Sequence, residues 1–330
     1  MATKFAPRRW SDDAHRYGPW IGGAGPNVTR GGLIWFGFVL AALLLLDVFD
    51  PITWSVVVSA AALLFAIAVH PARPSWRGVV DGRDLIAVAV FYLAVVTLFR
   101  LAFVMFTTAN VLGLFLAFAG GLLVGVTGPI GYQVWIRHRD LRSLGVGLHR
   151  LPQTALVGLV LAAVQFLITL WGYDLPDPGA WVPLLVMSLV VGFFEAVFFR
   201  GFIQNRLEAS FGTAPGIAAA ALLYGLYHVG YGMGSGEIWF LIGLGVVYAV
   251  VFRLVGNILV LWPLLTPMGS FFNQLQAGDI ELPWASIVGF ADVGGVMAVA
   301  VWLALRHIRK RKQITETPPV EATTTHKVAT

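Results

Sequence analysis

Long apolar runs recur along most of the chain and are separated by short polar segments. A helix needs about 20 mostly apolar residues to cross a bilayer, and there its backbone polar groups must be paired internally. Hydrophobic residues make up 58% of the 330 positions and charged residues only 12%, whereas about a quarter of the residues in soluble domains are charged. The chain is therefore predicted to be an all-α polytopic membrane protein.

The lengths of the runs predict about ten transmembrane helices. They cover residues 33–49, 52–69, 85–106, 110–136, 154–171, 181 to beyond 200, 214–229, 238–252, 257–275 and 283–305. Asp50 and Pro51 predict a tight turn between the first two helices, and Pro129 predicts a kink in the fourth. In the ninth, Pro263 and Pro267 interrupt the helical pattern.

Basic residues collect on one side of these predicted spans. Lys and Arg occur in segments 70–84, 137–150 and 307–312 and at Arg206 and Arg253, but are absent from 107–109, 172–180, 230–237 and 276–284. Such asymmetry places the basic loops in the cytoplasm, so we expect a multi-pass plasma-membrane protein with both termini cytoplasmic. It also accounts for the net charge of +5 without a nucleic-acid partner, for which no motif is present.

Two further features concern packing within the membrane. Arg100 and Asp292 have opposite charges and the same predicted height, about 21–24 Å above the cytoplasmic ends of their helices. We expect them to form a structural ion pair. Gly121 and Gly125, four residues apart, predict a close helix–helix contact.

The candidate catalytic groups lie in the sixth and seventh spans. Residues 195–201 read Glu-Ala-Val-Phe-Phe-Arg-Gly, and an ionisable side chain at membrane depth is a functional candidate because its burial is costly. His228 follows 33 residues after Glu195, and the intervening sequence Phe-Gly-Thr-Ala-Pro at 211–215 predicts a helical hairpin with Thr213 as a helix cap. Glu195 and His228 are then level, roughly 25 Å from the hairpin tip, where they could activate a water molecule.

Helical spacing assigns neighbours to these groups. Tyr224 precedes His228 by four residues and is expected to support the imidazole through its ring or hydroxyl. Glu195 and Arg200 are five residues apart, about 140° around an α-helix, and the position four before Arg200 is Ala196. Arg200 must therefore meet another helix, Glu195 by a long reach, or a ligand. Asn205, Arg206 and Glu208 predict a hairpin tip that projects into the cytoplasm.

These motifs resemble the CPBP family, the CAAX protease and bacteriocin-processing intramembrane endopeptidases. The similarity covers about residues 140–275 and consists of Glu-x-x-Phe-Arg-Gly, an aromatic-x-x-x-His about thirty residues later, and a third polar helix. It implies a CAAX-protease helical core with Glu195 as the general base on water, His228 assisting, and Arg200 ordering the site. It also implies that Asn273 helps to hold the oxyanion.

Two positions depart from the family pattern. Ala196 replaces a second glutamate, and Gly269 stands where the third motif, His-x-x-x-Asn, has its histidine. Losing one oxyanion donor costs about a hundredfold to a thousandfold in rate. The sequence therefore supports either an endopeptidase that cleaves a membrane protein or lipidated peptide, or a catalytically impaired relative that acts as a membrane scaffold, partner-binding or bacteriocin-immunity protein.

Other classes of site find less support. No cysteine is present, the candidate residues fall short of a three-ligand zinc centre, and we expect neither a metal nor a cofactor. A transporter would show paired repeats with broken helices. The predicted organisation is a cytoplasmic tail at 1–32, transmembrane helices at 33–136, the CPBP-like core at 137–275, a final helix at 276–310 and a disordered basic and Thr-rich tail at 311–330.

Overall fold

The computed structural model describes residues 48–69, 80–146, 181–265 and 283–316, together with a few single positions between 41 and 167. The predicted first and fifth spans, the later part of the ninth, and the two predicted tails up to residue 32 and beyond residue 316 lie almost wholly outside these residues. All the regular elements in the described ranges are helices, which confirms the predicted all-α class.

Eight helices are described. They are α1 (Pro51–Val69), α2 (Gly82–Met105), α3 (Val111–Ile136), α4 (Trp181–Glu195, Ala196–Gln204 and Asn205–Phe211 in succession), α5 (Thr213–Tyr227), α6 (Ser235–Val255), α7 (Ile258–Leu265) and α8 (Pro283–Glu316). Single 3₁₀ turns cover Leu141–Leu144 and His228–Tyr231. The helix α8 continues to Glu316, so the stretch 311–316 is helical and the prediction of disorder from residue 311 is wrong there.

Five helical segments of the described chain are long and apolar enough to cross a membrane. They are Gly82–Met105, Val111–Ile136, Leu184–Phe211, Ser235–Arg253 and Ala291–Arg311. The chain is thus a multi-pass membrane protein, while the predicted count of about ten spans is not confirmed.

The helices pack around α4. The helix α6 lies against α1 and α5, α5 lies against the end of α4, and α8 lies against α3 and α4. A Cβ atom on Gly125 would overlap the Phe194 ring of α4, and one on Gly121 would lie 3.7 Å from that ring. The predicted glycine contact face is therefore confirmed, and it brings α3 close to the helix that carries Glu195.

A buried ion cluster ties α2 to α3 and α4. The carboxylate of Asp84, in the first turn of α2, accepts a hydrogen bond from the Tyr132 hydroxyl at 2.7 Å. It also lies 3.1 Å from Arg137 Nε, 3.0 Å from Arg139 Nη1 and 3.5 Å from Arg206 Nη1. The Arg206 side chain is wholly buried. Its charge is compensated by Asp84, which lies 122 positions earlier in the chain.

The polar residues near the hairpin tip do not form an exposed surface. Asn205 and Arg206 are buried, and Glu208 pairs with Arg253 of α6 at 3.2 Å. The Gln204 side chain donates to Glu208 at 2.8 Å and to the Ala249 carbonyl at 2.9 Å. These polar groups bond to residues of neighbouring helices. A buried charge without a partner costs more free energy than an exposed one.

The predicted ion pair between Arg100 and Asp292 is also wrong. Both side chains are exposed, and Arg100 Nη1 donates instead to the Val229 carbonyl at 3.1 Å. The two residues were predicted at the same height along their helices, but their side chains do not face each other.

Replacing Asp84 by Asn should lower the free energy of unfolding by about 3–5 kcal/mol, because the buried guanidinium of Arg206 would lose its counter-charge. The matched control is Asp81→Asn. Asp81 caps α2 through the backbone amides of Arg83 and Asp84, Asn keeps that cap, and the partly exposed pair of Asp81 with Arg137 is worth at most about 1 kcal/mol. Denaturation of the purified variants in detergent measures both; equal losses would contradict a central role for Asp84.

The predicted orientation can be tested by cysteine labelling, since the chain has no cysteine of its own. Gly236 and Lys310 are exposed, and a Cβ atom on Gly236 would meet nothing within 4 Å. We expect a membrane-impermeant maleimide to label Gly236→Cys on intact cells, and Lys310→Cys only after permeabilisation. The reverse pattern would place the termini on the other side.

Candidate active site

Glu195 is held by two tyrosines of the next helix. Its side chain is buried within α4. The Tyr224 hydroxyl donates to Oε2 at 3.1 Å, and the Tyr227 hydroxyl donates to Oε1. An ionised carboxylate offers about four acceptor positions, so two donors leave room for a water molecule on the same group.

The hairpin between α4 and α5 brings these residues together. Gly212 separates the two helices with φ +90°, a conformation that favours glycine, and it accounts for the turn predicted from the sequence. Gly212 rather than Thr213 occupies the cap position, and no side chain caps α5. A Cβ atom on Gly216 would lie 2.5 Å from Glu208 Cα, so the missing side chain allows the helices to approach closely.

The backbone of α4 changes from α-helix to π-helix directly after Glu195. The π-helical stretch covers Ala196–Gln204. Because its hydrogen bonds span five residues rather than four, each residue turns through a smaller angle, and residues five apart lie closer around the axis than in an α-helix. The predicted angle between Glu195 and Arg200 assumed a regular α-helix and is therefore wrong, and the π-helix brings the two residues nearer to a common face.

Arg200 contacts Tyr224 rather than a carboxylate. Its side chain is 1% exposed, and its Cζ lies 4.8 Å from the centroid of the Tyr224 ring, a cation–π distance. Within the described part of the chain, neither Nη1 nor Nη2 has a hydrogen-bond acceptor. Tyr224 thus links the two charged residues, with its ring facing Arg200 and its hydroxyl bonded to Glu195.

His228 lies beside this group but does not bond Glu195 in the described structure. Its Nδ1 lies 2.9 Å from the Tyr224 carbonyl, one turn back at the point where α5 passes into a 3₁₀ turn. Its ring packs 4.0 Å from Tyr227, 5.2 Å from Tyr224 and 5.5 Å from Tyr231, between centroids. Tyr227 contacts both residues, with its ring against the imidazole and its hydroxyl bonded to the carboxylate, and the Tyr224 hydroxyl bonds Glu195 rather than His228.

An aromatic wall surrounds the polar groups. Phe199 packs 4.5 Å from Tyr227 and 5.2 Å from Tyr224 between ring centroids, while Phe194 packs 6.1 Å from Tyr227 and 5.5 Å from Phe99. Such apolar surroundings strengthen the electrostatic interactions inside them. The site therefore combines a polar centre with an apolar boundary.

Sequence reasoning identified Tyr224 but missed Tyr227. The signal was the sequence Tyr-x-x-Tyr-His at 224–228, in which residues three apart share a helix face. Asn273 and Gly269 lie outside the described residues. Among those described, no group of three His, Cys, Asp or Glu side chains is placed to hold a metal ion.

Residues 177–264 match the family model for the type II CAAX prenyl endopeptidases, Rce1-like. This region carries an Rce1-like domain. The match includes Glu195, Arg200, Tyr224 and His228, and it confirms the resemblance to the CPBP family. Neither the curated proteins nor the solved structures gave a significant match to the chain.

The Rce1-like domain brings a buried carboxylate and a buried guanidinium close together. Glu195 accepts hydrogen bonds from two tyrosine hydroxyls, and Arg200 contacts the ring of one of these tyrosines. A general base must reach the proton that it removes directly or through one water. The remaining acceptor positions of Glu195 meet that requirement.

Replacing Tyr227 by Phe should cost about 1.5–3 kcal/mol in stability, because a buried carboxylate loses a charge-assisted hydrogen bond while the ring is kept. Tyr92→Phe is the matched control. It removes a hydroxyl that donates to the neutral Leu223 carbonyl at 3.0 Å, worth about 0.5–1.5 kcal/mol. Unfolding of both variants in detergent gives the comparison, and a loss for Tyr227→Phe no larger than that for the control would contradict the assignment.

Proposed function

We propose that this protein is an intramembrane endopeptidase of the CPBP type that cleaves a membrane-associated peptide or protein with water activated by Glu195. The observation that carries the proposal is the buried Glu195 carboxylate, held by Tyr224 and Tyr227 in a segment that matches CAAX endopeptidases. Burying a carboxylate in a membrane helix is costly, and this one has no cation within ion-pair distance among the described residues.

In the proposed reaction Glu195 takes a proton from water while the water oxygen attacks the peptide carbonyl. Tyr224 and Tyr227 hold the carboxylate in one orientation, and His228 supports the Tyr227 ring and contacts the backbone of Tyr224. Asn273 is proposed to stabilise the oxyanion. The buried site fits a substrate that is itself anchored in the bilayer, such as a lipidated peptide.

The multi-pass fold and the match to a protease family support a site within the membrane and suggest a membrane-associated substrate. We propose the plasma membrane as its location, specifically a bacterial inner membrane, with both termini cytoplasmic. Under this topology the end of α8 with its basic residues faces the cytoplasm.

A catalytically impaired relative is the second candidate. Ala196 and Gly269 replace two polar residues of the family pattern, and both oxygens of Glu195 already accept a tyrosine hydroxyl. A scaffold, partner-binding or bacteriocin-immunity protein would keep the fold without turnover. Its expected signature is normal binding of a membrane partner by variants that lack Glu195.

Glu195→Gln should abolish the cleavage product, because general-base catalysis contributes about 10²–10⁴ in rate and the amide keeps the size of the side chain. Mass spectrometry of membrane proteins from cells that express wild type, Glu195→Gln or Glu237→Gln provides the measurement. Glu237 is exposed and only caps α6, so its variant should resemble wild type.

The same experiment includes His228→Ala. We expect the product to decrease, because Tyr227 would lose the ring that packs against it. A product that persists unchanged in both Glu195→Gln and His228→Ala would refute the protease proposal and leave the scaffold as the better account.

A further inference from the structure

Arg200 differs from the other arginines of α4 and α6. Arg206 lies beside Asp84, and Arg253 pairs with Glu208. Arg200 is as deeply buried as Arg206, yet both its terminal nitrogens lack an acceptor within the described residues. A buried cation without a direct partner is costly, and Glu195 balances the charge of Arg200 only across Tyr224. The terminal nitrogens that lack an acceptor therefore point to an anionic group that arrives later.

The position of Arg200 limits where that anion lies. The π-helical stretch brings Arg200 nearer to the face of α4 that carries Glu195. Tyr224 contacts both residues, with its ring 4.8 Å from the guanidinium carbon and its hydroxyl 3.1 Å from the carboxylate. An anion bound by Arg200 is therefore adjacent to the base.

We propose that Arg200 donates to the oxyanion of the tetrahedral intermediate and is thus a catalytic residue of this site, an assignment that rests on the proposed endopeptidase function. Arginine carries a planar set of donors suited to anionic oxygens. Preorganised donors of this kind, aimed at developing charge in a dry site, commonly contribute the largest share of catalysis.

Charge balance supports an oxyanion over a permanent substrate anion. In the resting site, the charges of Glu195 and Arg200 cancel. When water attacks, its oxygen bonds to the carbonyl carbon, the C=O π electrons move to the oxygen, and the water proton goes to Glu195. The negative charge thus passes from the carboxylate to the oxyanion, and the buried site stays neutral.

Collapse of the intermediate keeps the same balance. The C=O bond re-forms, the C–N bond breaks, and Glu195 returns its proton to the departing amine. A substrate carboxylate on Arg200 would instead leave one uncompensated negative charge beside the base, which low-dielectric surroundings disfavour.

The test uses three S-farnesyl-cysteine peptides on the purified full-length protein in detergent. The first has a phosphinate in place of the scissile amide and mimics the anionic intermediate. The second has a neutral ketomethylene at that position. Both end in an amide, so that a terminal carboxylate cannot occupy Arg200, and the third is the ketomethylene peptide with a free carboxylate.

Wild type should bind the phosphinate at least about 100-fold more tightly than the neutral amide peptide, since transition-state analogues gain that factor or more. Arg200→Met should reduce the preference below about 10-fold without weakening the neutral peptide or lowering the melting temperature. Arg206→Met is the matched control: it should lower the melting temperature and keep the preference.

The proposal is overturned if wild type has no phosphinate preference or if Arg200→Met retains it. It is also overturned if Arg200→Met loses only a preference for the free carboxylate, which would make Arg200 a ground-state binding residue. Turnover of the unmodified farnesyl peptide is measured separately. A phosphinate preference that depends on Arg200, without turnover, would refute the proposed function and leave the anion site standing.

Discussion

The cost of burying an ionised side chain governs the organisation of this bundle. Asp84 meets Arg137, Arg139 and Arg206 at the junction of three helices, and Glu208 meets Arg253 between α4 and α6. Removing one partner from such a pair leaves an uncompensated charge, which is why buried pairs fix geometry even where their net contribution is small. These contacts hold α4 against α2 and α6, and α4 carries the candidate base.

Glu195 and Arg200 differ from these paired charges, and both differ for the same reason. Neither forms an ion pair among the described residues; both instead contact Tyr224. Because the tyrosine ring occupies the space beside both groups, the carboxylate and guanidinium attract each other without direct contact. A direct pair would occupy both charged groups, whereas this arrangement leaves the terminal nitrogens of Arg200 without an acceptor among the described residues.

Much of the fold was predictable because it follows from apolar length and turn chemistry. The helices α2 and α3 begin and end within a few residues of their predicted bounds, and Gly212 ends α4 as expected. The contacts of polar side chains were less predictable. Arg206 was assigned to a cytoplasmic tip because its partner, Asp84, is 122 residues away. Tyr227 shares a helix face with Tyr224, but this spacing alone does not show that its hydroxyl bonds a carboxylate on another helix.

The π-helical stretch changes the significance of Ala196. In a regular α-helix, an acid at 196 would stand one turn below Arg200 and neutralise it, so its absence counted against the site. In a π-helix, whose hydrogen bonds span five residues, Glu195 also comes close to the position one turn below Arg200. Arg200 therefore keeps a carboxylate near its own face of α4 although Ala196 is apolar, and the loss of the second glutamate is a weaker argument against hydrolysis than the sequence implied. Gly269 remains the more serious departure, since an oxyanion still requires a hydrogen-bond donor. Among the described residues, Arg200 is a buried cation whose terminal nitrogens have no acceptor, and its guanidinium is the donor that we propose.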